Sequence, residues 1–325
     1  WNYPVWQVIR CAAAQWILGN IIVLKHAPNV WGTAKKLAEW VQEVSKEQRI
    51  LHLLFIQESD VVHCVRHPAV QGVAFTGSQA AGRVIGEMAG RALKKSVLEL
   101  GGSDAYLVFE DANLDLAAEI VVDSRMNNSG QVCVAAKRLI CSANIYEELL
   151  DRILVRMGSY LHQDPMLADC RLGPLARKDL CLQLMTQVQQ VIAEGGRCVL
   201  GGELPKLPSG FFFQPTVLTD VGEDMLPFKE ELFGPVLSVS IGKNPEEMLR
   251  LANATAFGLS AALFGADSNR LEDLAKHIRV GCMAINQKVS SDFRLPFGGI
   301  KQSGYGKELG SMGVKEFALV QSLLA

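Results

Sequence analysis

A glutamate and a cysteine, each set among small residues, carry most of the chemistry this chain could do. Glu99 lies in E-L-G-G (99–102) and Cys133 in N-S-G-Q-V-C (128–133), 34 positions further on. A thiol becomes a strong nucleophile once its surroundings favour the thiolate. A nearby carboxylate can then take a proton from water and release the thioester that the thiol has formed. Glycines beside both residues let backbone approach a ligand closely. The plainer readings of the same two residues are a buried structural thiol and a strand-end carboxylate in a salt bridge.

Other short motifs stand in a fixed order around them: W-N-Y-P (1–4), F-T-G-S (75–78), E-E-L-F-G-P-V (230–236) and P-F-G-G (296–299). Together with E-L-G-G and the cysteine motif, their order and approximate separations closely resemble the aldehyde dehydrogenase superfamily. The resemblance covers essentially the whole chain but only about the last two-thirds of the family's length, which implies an N-terminally truncated copy. It assigns Cys133 as nucleophile and Glu99 as general base, with Asn2 and the Cys133 amide as oxyanion donors. It implies NAD or NADP as cofactor, held by Trp1, Lys25, Gly77, Ser78, Leu100, Glu231 and Phe233. In that scheme Gly77-Ser78 opens a helix toward the pyrophosphate, Lys25 meets the adenosine ribose, and Glu231 and Phe233 hold and flank the nicotinamide ribose.

The substrate side resembles the succinate-semialdehyde branch. Arg10 matches that branch's carboxylate-binding arginine, and a guanidinium offers a bidentate fork for such a group. Trp6 lies one helical turn before it. Ser290, Ser291 and Phe297 match the rest of that pocket. Three departures stand out. Pro28 occupies the position of a glutamate that repels the 2′-phosphate of NADP, so both cofactors are expected, with a modest lean to NAD. Cys11 replaces the lysine that partners Glu308 in a proposed proton relay, which favours a structural Glu308. Asn127 stands where a second carboxylate-binding arginine is common, with Arg125 two positions away.

What must position these residues is an α/β framework. Apolar β-branched runs at 21–25 and 70–75 read as strands, followed by helical patterns at 33–46 and 78–88. Further strands are expected at 105–109, 236–241 and 281–286. A helix opened by Asp111 and another over 177–194, stopped by Gly195-Gly196, are expected with them. Alternation of this kind implies parallel sheets with ligands at the strand ends. The resemblance implies two doubly wound α/β domains, cofactor-binding over 1–98 and catalytic over 99–302. A return segment over 303–325 would end in an oligomer-forming strand, giving a homodimer or homotetramer.

Composition narrows the alternatives. With 49% hydrophobic residues in 325, sizeable cores are affordable, and a formal charge of −2 offers no basic field for nucleic acid. No apolar run reaches the roughly 18–20 residues of a membrane span. Eight cysteines without C-x-x-C pairs point to reduced thiols in a cytoplasmic compartment and away from a zinc site. His63 and His67 share a helical spacing, but Pro68 follows at once and no ligand cluster surrounds them, so no metal is expected. The leading expectation is therefore NAD(P)-dependent oxidation of a small aldehyde, most specifically succinate semialdehyde, through a cysteine thioester. Its rivals are oxidation of other aldehydes, a coenzyme A-dependent acyl-transferring relative, against which Glu99 argues, and an inactive homologue retained for assembly.

Overall fold

The computed structural model describes residues 1–46, 48–205, 207 and 209–324. In chain order, α1 (Trp6–Ile17), β1 (Ile22–Leu24), α2 (Trp31–Ser45), β2 (Leu51–Leu53), α3 (Val61–Arg66), β3 (Gly72–Thr76), α4 (Gln79–Arg91) and β4 (Lys95–Glu99) come first. There follow β5 (Ala105–Val108), α5 (Leu114–Met126), β6 (Arg138–Ser142), α6 (Tyr146–Gly158), α7 (Lys178–Ala193), β7 (Arg197–Leu200) and β8 (Thr216–Thr219). The chain ends with α8 (Leu226–Lys229), β9 (Val236–Gly242), α9 (Pro245–Asn253), β10 (Ser260–Phe264), α10 (Ser268–Ala275), β11 (Cys282–Ile285), β12 (Gly304–Tyr305) and α11 (Gly310–Lys315). These elements form two units. The first holds residues 1–100, 291–299 and 303–325; the second holds 101–290 and 300–302. Residues 291–299 thus group with the first unit and not with the catalytic segment expected over 99–302. They are drawn there by contacts such as the paired backbone bonds between Phe297 and Glu308.

In the first unit β1 and β2 pair in parallel, and β3, β4 and β12 make a second small sheet in the order β12-β4-β3. The pairing of β12 with β4 is antiparallel and sets Gly304 opposite Glu99. The described residues of this unit therefore carry two small sheets in place of one doubly wound sheet. Helix α4 starts where the sequence places it, because the Ser78 side chain accepts the Ala81 amide as an N-cap.

The second unit is built on seven strands in the order β11-β10-β5-β6-β9-β8-β7, all parallel except the edge pair β7–β8. From β5 the chain adds β6, jumps to the far edge at β7, returns inward through β8 to β9, and then crosses to β10 and β11 on the other side of β5. Strands β5, β8 and β10 are buried along their whole length, as central strands of a covered parallel sheet are. Leu107, Ile140, Val236 and Leu263 from this sheet pack with Leu184 and Val188 of α7 and Met248 of α9 in the core.

Two expectations need correction. The helix after β5 opens at Asn113, whose side chain accepts the Leu116 amide. Asp111 instead turns its carboxylate to the amides of Ala266 and Asp267. At the C-terminus, the described residues 316–324 carry no strand, and Ala325 lies outside the described residues. A strand needs a neighbour to complete its hydrogen bonds, and here Leu319, Val320, Leu323 and Leu324 are 89–99% exposed.

Candidate active site

In the first unit the expected residues follow the carboxyl ends of strands, as ligand-binding loops of parallel sheets do. Lys25 directly follows β1, Thr76-Gly77-Ser78 closes β3, and Glu99 closes β4. In the second unit the rule is reversed. Gly101 and Gly102 precede β5, Cys133 precedes β6 and Glu231 precedes β9. Because β5, β6 and β9 are parallel neighbours in register, their amino ends line up along one edge, and that alignment gathers three motifs far apart in sequence.

Cys133 is presented by a strained turn. Asn128, Ser129 and Gly130 all adopt left-handed backbone angles, with φ of 51°, 54° and 75°. Such a run in non-glycine residues survives only where surrounding contacts fix it. Here Ser129 donates to the Gly173 carbonyl at 2.9 Å and Gln131 donates to the Asn128 carbonyl at 3.1 Å. The Gln131 carbonyl oxygen of the side chain accepts from the Ala176 amide at 2.9 Å, and Arg125 donates to the Gly130 carbonyl. Glycine is required at 130 because a Cβ would run into the Gly234 peptide. The N-S-G-Q tetrapeptide is thus the turn that holds the half-buried Cys133, and among the described residues no disulfide engages it.

Beside that turn lies a buried charged cluster that the sequence did not announce. Lys137 Nζ sits 3.1 Å from Glu231 Oε1 and donates to the Cys133 carbonyl. Burial pushes Asp104 up to about 6, against the opposing pull of Lys137 and the bonds from Ser260. Burial likewise brings Arg125 down to about 10, with Glu231 and Asp104 opposing. The A-A-K-R stretch after the cysteine was the available signal, a lysine and an arginine inside an otherwise apolar run. Phe233, half-buried, follows Glu231 by two positions in the same segment.

In the first unit Glu99 is 3% exposed, and neither carboxylate oxygen has a hydrogen-bond partner among the described residues. Burial raises its pKa well above the ordinary carboxylate range, Glu308 adds to the rise, and Arg10 and Lys307 oppose it. Gly298 of P-F-G-G explains itself here, since a Cβ there would lie 2.5 Å from Glu99 Oε1. Lys307 donates to the Gly298 carbonyl at 2.5 Å and so braces that loop. Leu100, next in line, is buried and its amide donates to the Ser303 carbonyl.

Asn2 accepts a hydrogen bond on Oδ1 from Gln7 Nε2 at 2.7 Å. That bond fixes which end of the side-chain amide is the oxygen and which is the donor nitrogen. Trp6 Nε1 donates to Ser291 Oγ at 3.0 Å, which brings two of the expected substrate residues together. Arg10 differs from expectation. It is buried, paired with the Glu308 carboxylate, and its guanidinium lies 4.8 Å from the Phe297 ring. A guanidinium enclosed by a protein carboxylate and an aromatic face is committed to the fold, which corrects its reading as the substrate's carboxylate partner. Phe297, 3% exposed beneath it, serves the same packing and is corrected with it. Ser290 is exposed and belongs to the second unit, whereas Ser291 belongs to the first.

For the cofactor, α4 is a 13-residue helix whose N-terminal amides follow an exposed Ser78. Ser78 Oγ accepts from Ala81 and keeps its hydroxyl hydrogen to donate. Lys25 is half-buried at the end of β1, and Pro28 opens the short helical turn Pro28–Val30 that follows. His26, missed by sequence reading, is 6% exposed and ties this strand end to the W-N-Y-P segment. Its Nδ1 accepts from the Ala27 amide at 2.9 Å, so Nε2 carries the proton and donates to the Pro4 carbonyl at 2.9 Å. Burial lowers its pKa, in keeping with a neutral ring. Trp1 is half-buried. Within the first unit these groups suit an anionic dinucleotide: helix amides and a hydroxyl for phosphate, and a cation for a sugar. Among the described residues no three His, Cys, Asp or Glu side chains group as metal ligands, and no helix is long and apolar enough to cross a membrane.

An α/β fold that carries a thiol on a strained turn and a buried carboxylate at a strand end has the groups that covalent thiol chemistry needs. The chain belongs to the aldehyde dehydrogenase family, whose profile matches residues 1–323. It is 42% identical over 317 residues to the succinate-semialdehyde dehydrogenase (NADP(+)) of Deinococcus radiodurans, covering 98% of this chain and 66% of that protein. It is 41% identical over 323 residues to the succinate semialdehyde dehydrogenase (NAD(P)+) Sad of Escherichia coli, covering 99% of this chain and 70% of that one. A solved succinic semialdehyde dehydrogenase from Streptococcus pyogenes, in complex with NADP+, superposes with a TM-score of 0.95 at 34% identity, over 98% of this chain and 70% of that one. The chain thus spans about two-thirds of the length of the relatives it matches.

Proposed function

We propose that this chain is the catalytic part of an NAD(P)-dependent aldehyde dehydrogenase that oxidises succinate semialdehyde to the dicarboxylic acid. The observation that carries the reading is the left-handed turn Asn128–Gly130, a strained device whose evident use is to present Cys133. The substrate is supported by relatives at 42% and 41% identity that are named for succinate semialdehyde. Cys133 attacks the aldehyde carbon, and the oxyanion is met by the Cys133 amide and by Asn2, whose donor end Gln7 selects. A bound nicotinamide would supply the hydride acceptor. Glu99 then draws a proton from the water that attacks the thioester. A carboxyl whose pKa burial has raised above the ordinary carboxylate range is a stronger base for that step.

By the family resemblance the cofactor would be held by Lys25, Gly77, Ser78, Glu231 and Phe233, with Trp1 and Leu100 as further contacts. No carboxylate stands at Pro28 to repel a 2′-phosphate, which supports use of both NAD and NADP. Ser291 replaces Arg10 as the group proposed to meet the substrate carboxylate. Its oxygen accepts from Trp6, which leaves its hydroxyl hydrogen to donate. The exposed Leu319, Val320, Leu323 and Leu324 support self-association into a homo-oligomer, and the eight cysteines, unbridged among the described residues, fit a reducing compartment such as the cytoplasm. The test is a single-turnover reaction with succinate semialdehyde and either cofactor, followed by mass analysis of the Cys133 peptide. A succinyl adduct with one equivalent of reduced cofactor supports the reading. Turnover without an adduct on Cys133, or an adduct on another cysteine, refutes it.

A further inference from the structure

Lys137 occupies an unusual position for a lysine. Its side chain is 1% exposed, and its backbone is pinned on both sides. Its amide donates to the Asp104 carbonyl at 3.2 Å, and its carbonyl accepts both the amide and the hydroxyl of Ser238 at 3.0 Å. The ammonium therefore has little latitude, and it serves two groups that the proposed reaction uses. One is Glu231, 3.1 Å away; the other is the carbonyl oxygen of Cys133 itself. A buried ammonium requires a compensating anion, and Glu231 supplies it at a side chain that is still 19% exposed. On its other flank Glu231 faces Gly101, where any Cβ would collide with Oε2. The carboxylate is thus fixed from two sides while its edge stays open to solvent.

We propose that Lys137 is a positioning residue that locks the Glu231 carboxylate and the Cys133 peptide into one arrangement, so that a single buried ammonium sets both the cofactor hold and the presentation of the thiol. This rests on the reading of Cys133 as nucleophile and Glu231 as ribose ligand. A compact ammonium on a flexible stem can serve a carboxylate and a carbonyl at once, and losing it releases both together. The effects of removing Lys137 and Glu231 are then not independent.

The test compares Lys137→Met, Lys137→Gln, Glu231→Gln and the double variant Lys137→Met/Glu231→Gln in the intact enzyme. Three quantities are read: cofactor KM, kcat, and the rate at which iodoacetamide alkylates Cys133 without cofactor. Lys137→Met should raise cofactor KM by ~10-fold or more and slow alkylation, and the double variant should be no worse than the worse single, since groups acting as a unit are non-additive. Lys137→Gln keeps a donor for the Cys133 carbonyl but loses the charge, so it should raise KM and leave alkylation unchanged. That variant also carries the test if Lys137→Met does not fold. Unchanged KM in both Lys137 variants, or effects that simply multiply in the double variant, would overturn the proposal, whatever the melting temperature does. Glu231→Gln alone probes the underlying reading. An unchanged KM there removes Glu231 from the cofactor and the proposal with it, whereas a raised KM there beside unchanged Lys137 variants overturns the Lys137 step only.

Discussion

Arg10 and Glu308 form a buried ion pair, their side chains 5% and 6% exposed, from opposite ends of the chain. Glu99 feels both charges, one raising and one lowering its pKa. The pair therefore acts electrostatically on the proposed general base.

The pH profile should report this. Glu99 works as a base only when ionised, and its folded pKa is raised, chiefly by burial and then by Glu308. Deacylation should accordingly rise with pH through that raised value, on the alkaline side of an ordinary carboxylate. Glu308→Gln removes a repelling charge and leaves Arg10 less compensated, so both effects ease ionisation of Glu99. The acid limb of kcat should move to lower pH. A limb that stays put or moves upward would break the link between the pair and the base.

The same shift has a stability consequence. A carboxyl whose pKa is higher in the folded than in the unfolded state binds its proton more tightly when folded. Its favourable contribution is complete below the unfolded pKa and is lost as pH rises through the folded value. Glu99→Gln, which cannot ionise, should melt above the parent at alkaline pH, and the gap should close toward pH 4. Parallel melting curves across that range would contradict an ionising, buried Glu99.

Glu99→Gln should also divide the reaction in time. Acylation and hydride transfer need no water activation, so one equivalent of reduced cofactor should appear in a burst. The steady state should then fall by about 10²–10⁴, the usual worth of general-base help. Equal slowing of both phases would give Glu99 a different task. Cys133→Ala, by contrast, should leave less than about a hundredth of the turnover and no acyl adduct, because covalent catalysis has no substitute there.

How much of this was readable in the chain follows from what each feature depends on. Glu99, Cys133 and Ser78 sit in motifs whose glycines and cap answer to local geometry, and the strand before Ser78 is an apolar run that was legible, whereas β4 and β6, beside Glu99 and Cys133, begin and end on polar residues and were not read as strands. Lys137 was not, because its meaning arises only when β5, β6 and β9 align their amino ends and bring Glu231 beside it. Arg10 was misread for the same reason. Its helical spacing from Trp6 held, but the carboxylate that claims it lies near the other end of the sequence. Asp111 erred locally, since its carboxylate caps a distant loop instead of the helix it precedes.

Cofactor use should be dual. Pro28 puts no carboxylate after β1, and Lys25 stands there as a cation able to accept a 2′-phosphate. Values of kcat/KM for NAD and NADP on one aldehyde should differ by less than about a thousandfold, or ~4 kcal/mol. A larger preference would reveal a determinant outside these residues.

Substrate choice separates the two arginine readings. If Arg10 is committed to Glu308, Arg10→Leu should slow succinate semialdehyde and butyraldehyde alike, and it should destabilise the fold by about 3–5 kcal/mol, because one buried charge is left uncompensated. Arg10→Leu/Glu308→Leu should be milder than the single change, since removing both partners leaves no orphan. Ser291→Ala should instead act selectively. A hydroxyl donating to a carboxylate is worth about 1.5–3 kcal/mol, so succinate semialdehyde should lose roughly 10- to 100-fold in kcat/KM while butyraldehyde stays nearly unchanged. If Arg10→Leu erased the preference for the acid aldehyde and Ser291→Ala did not, the guanidinium would be the substrate's anchor after all, and its pairing with Glu308 would have to open when the acid binds.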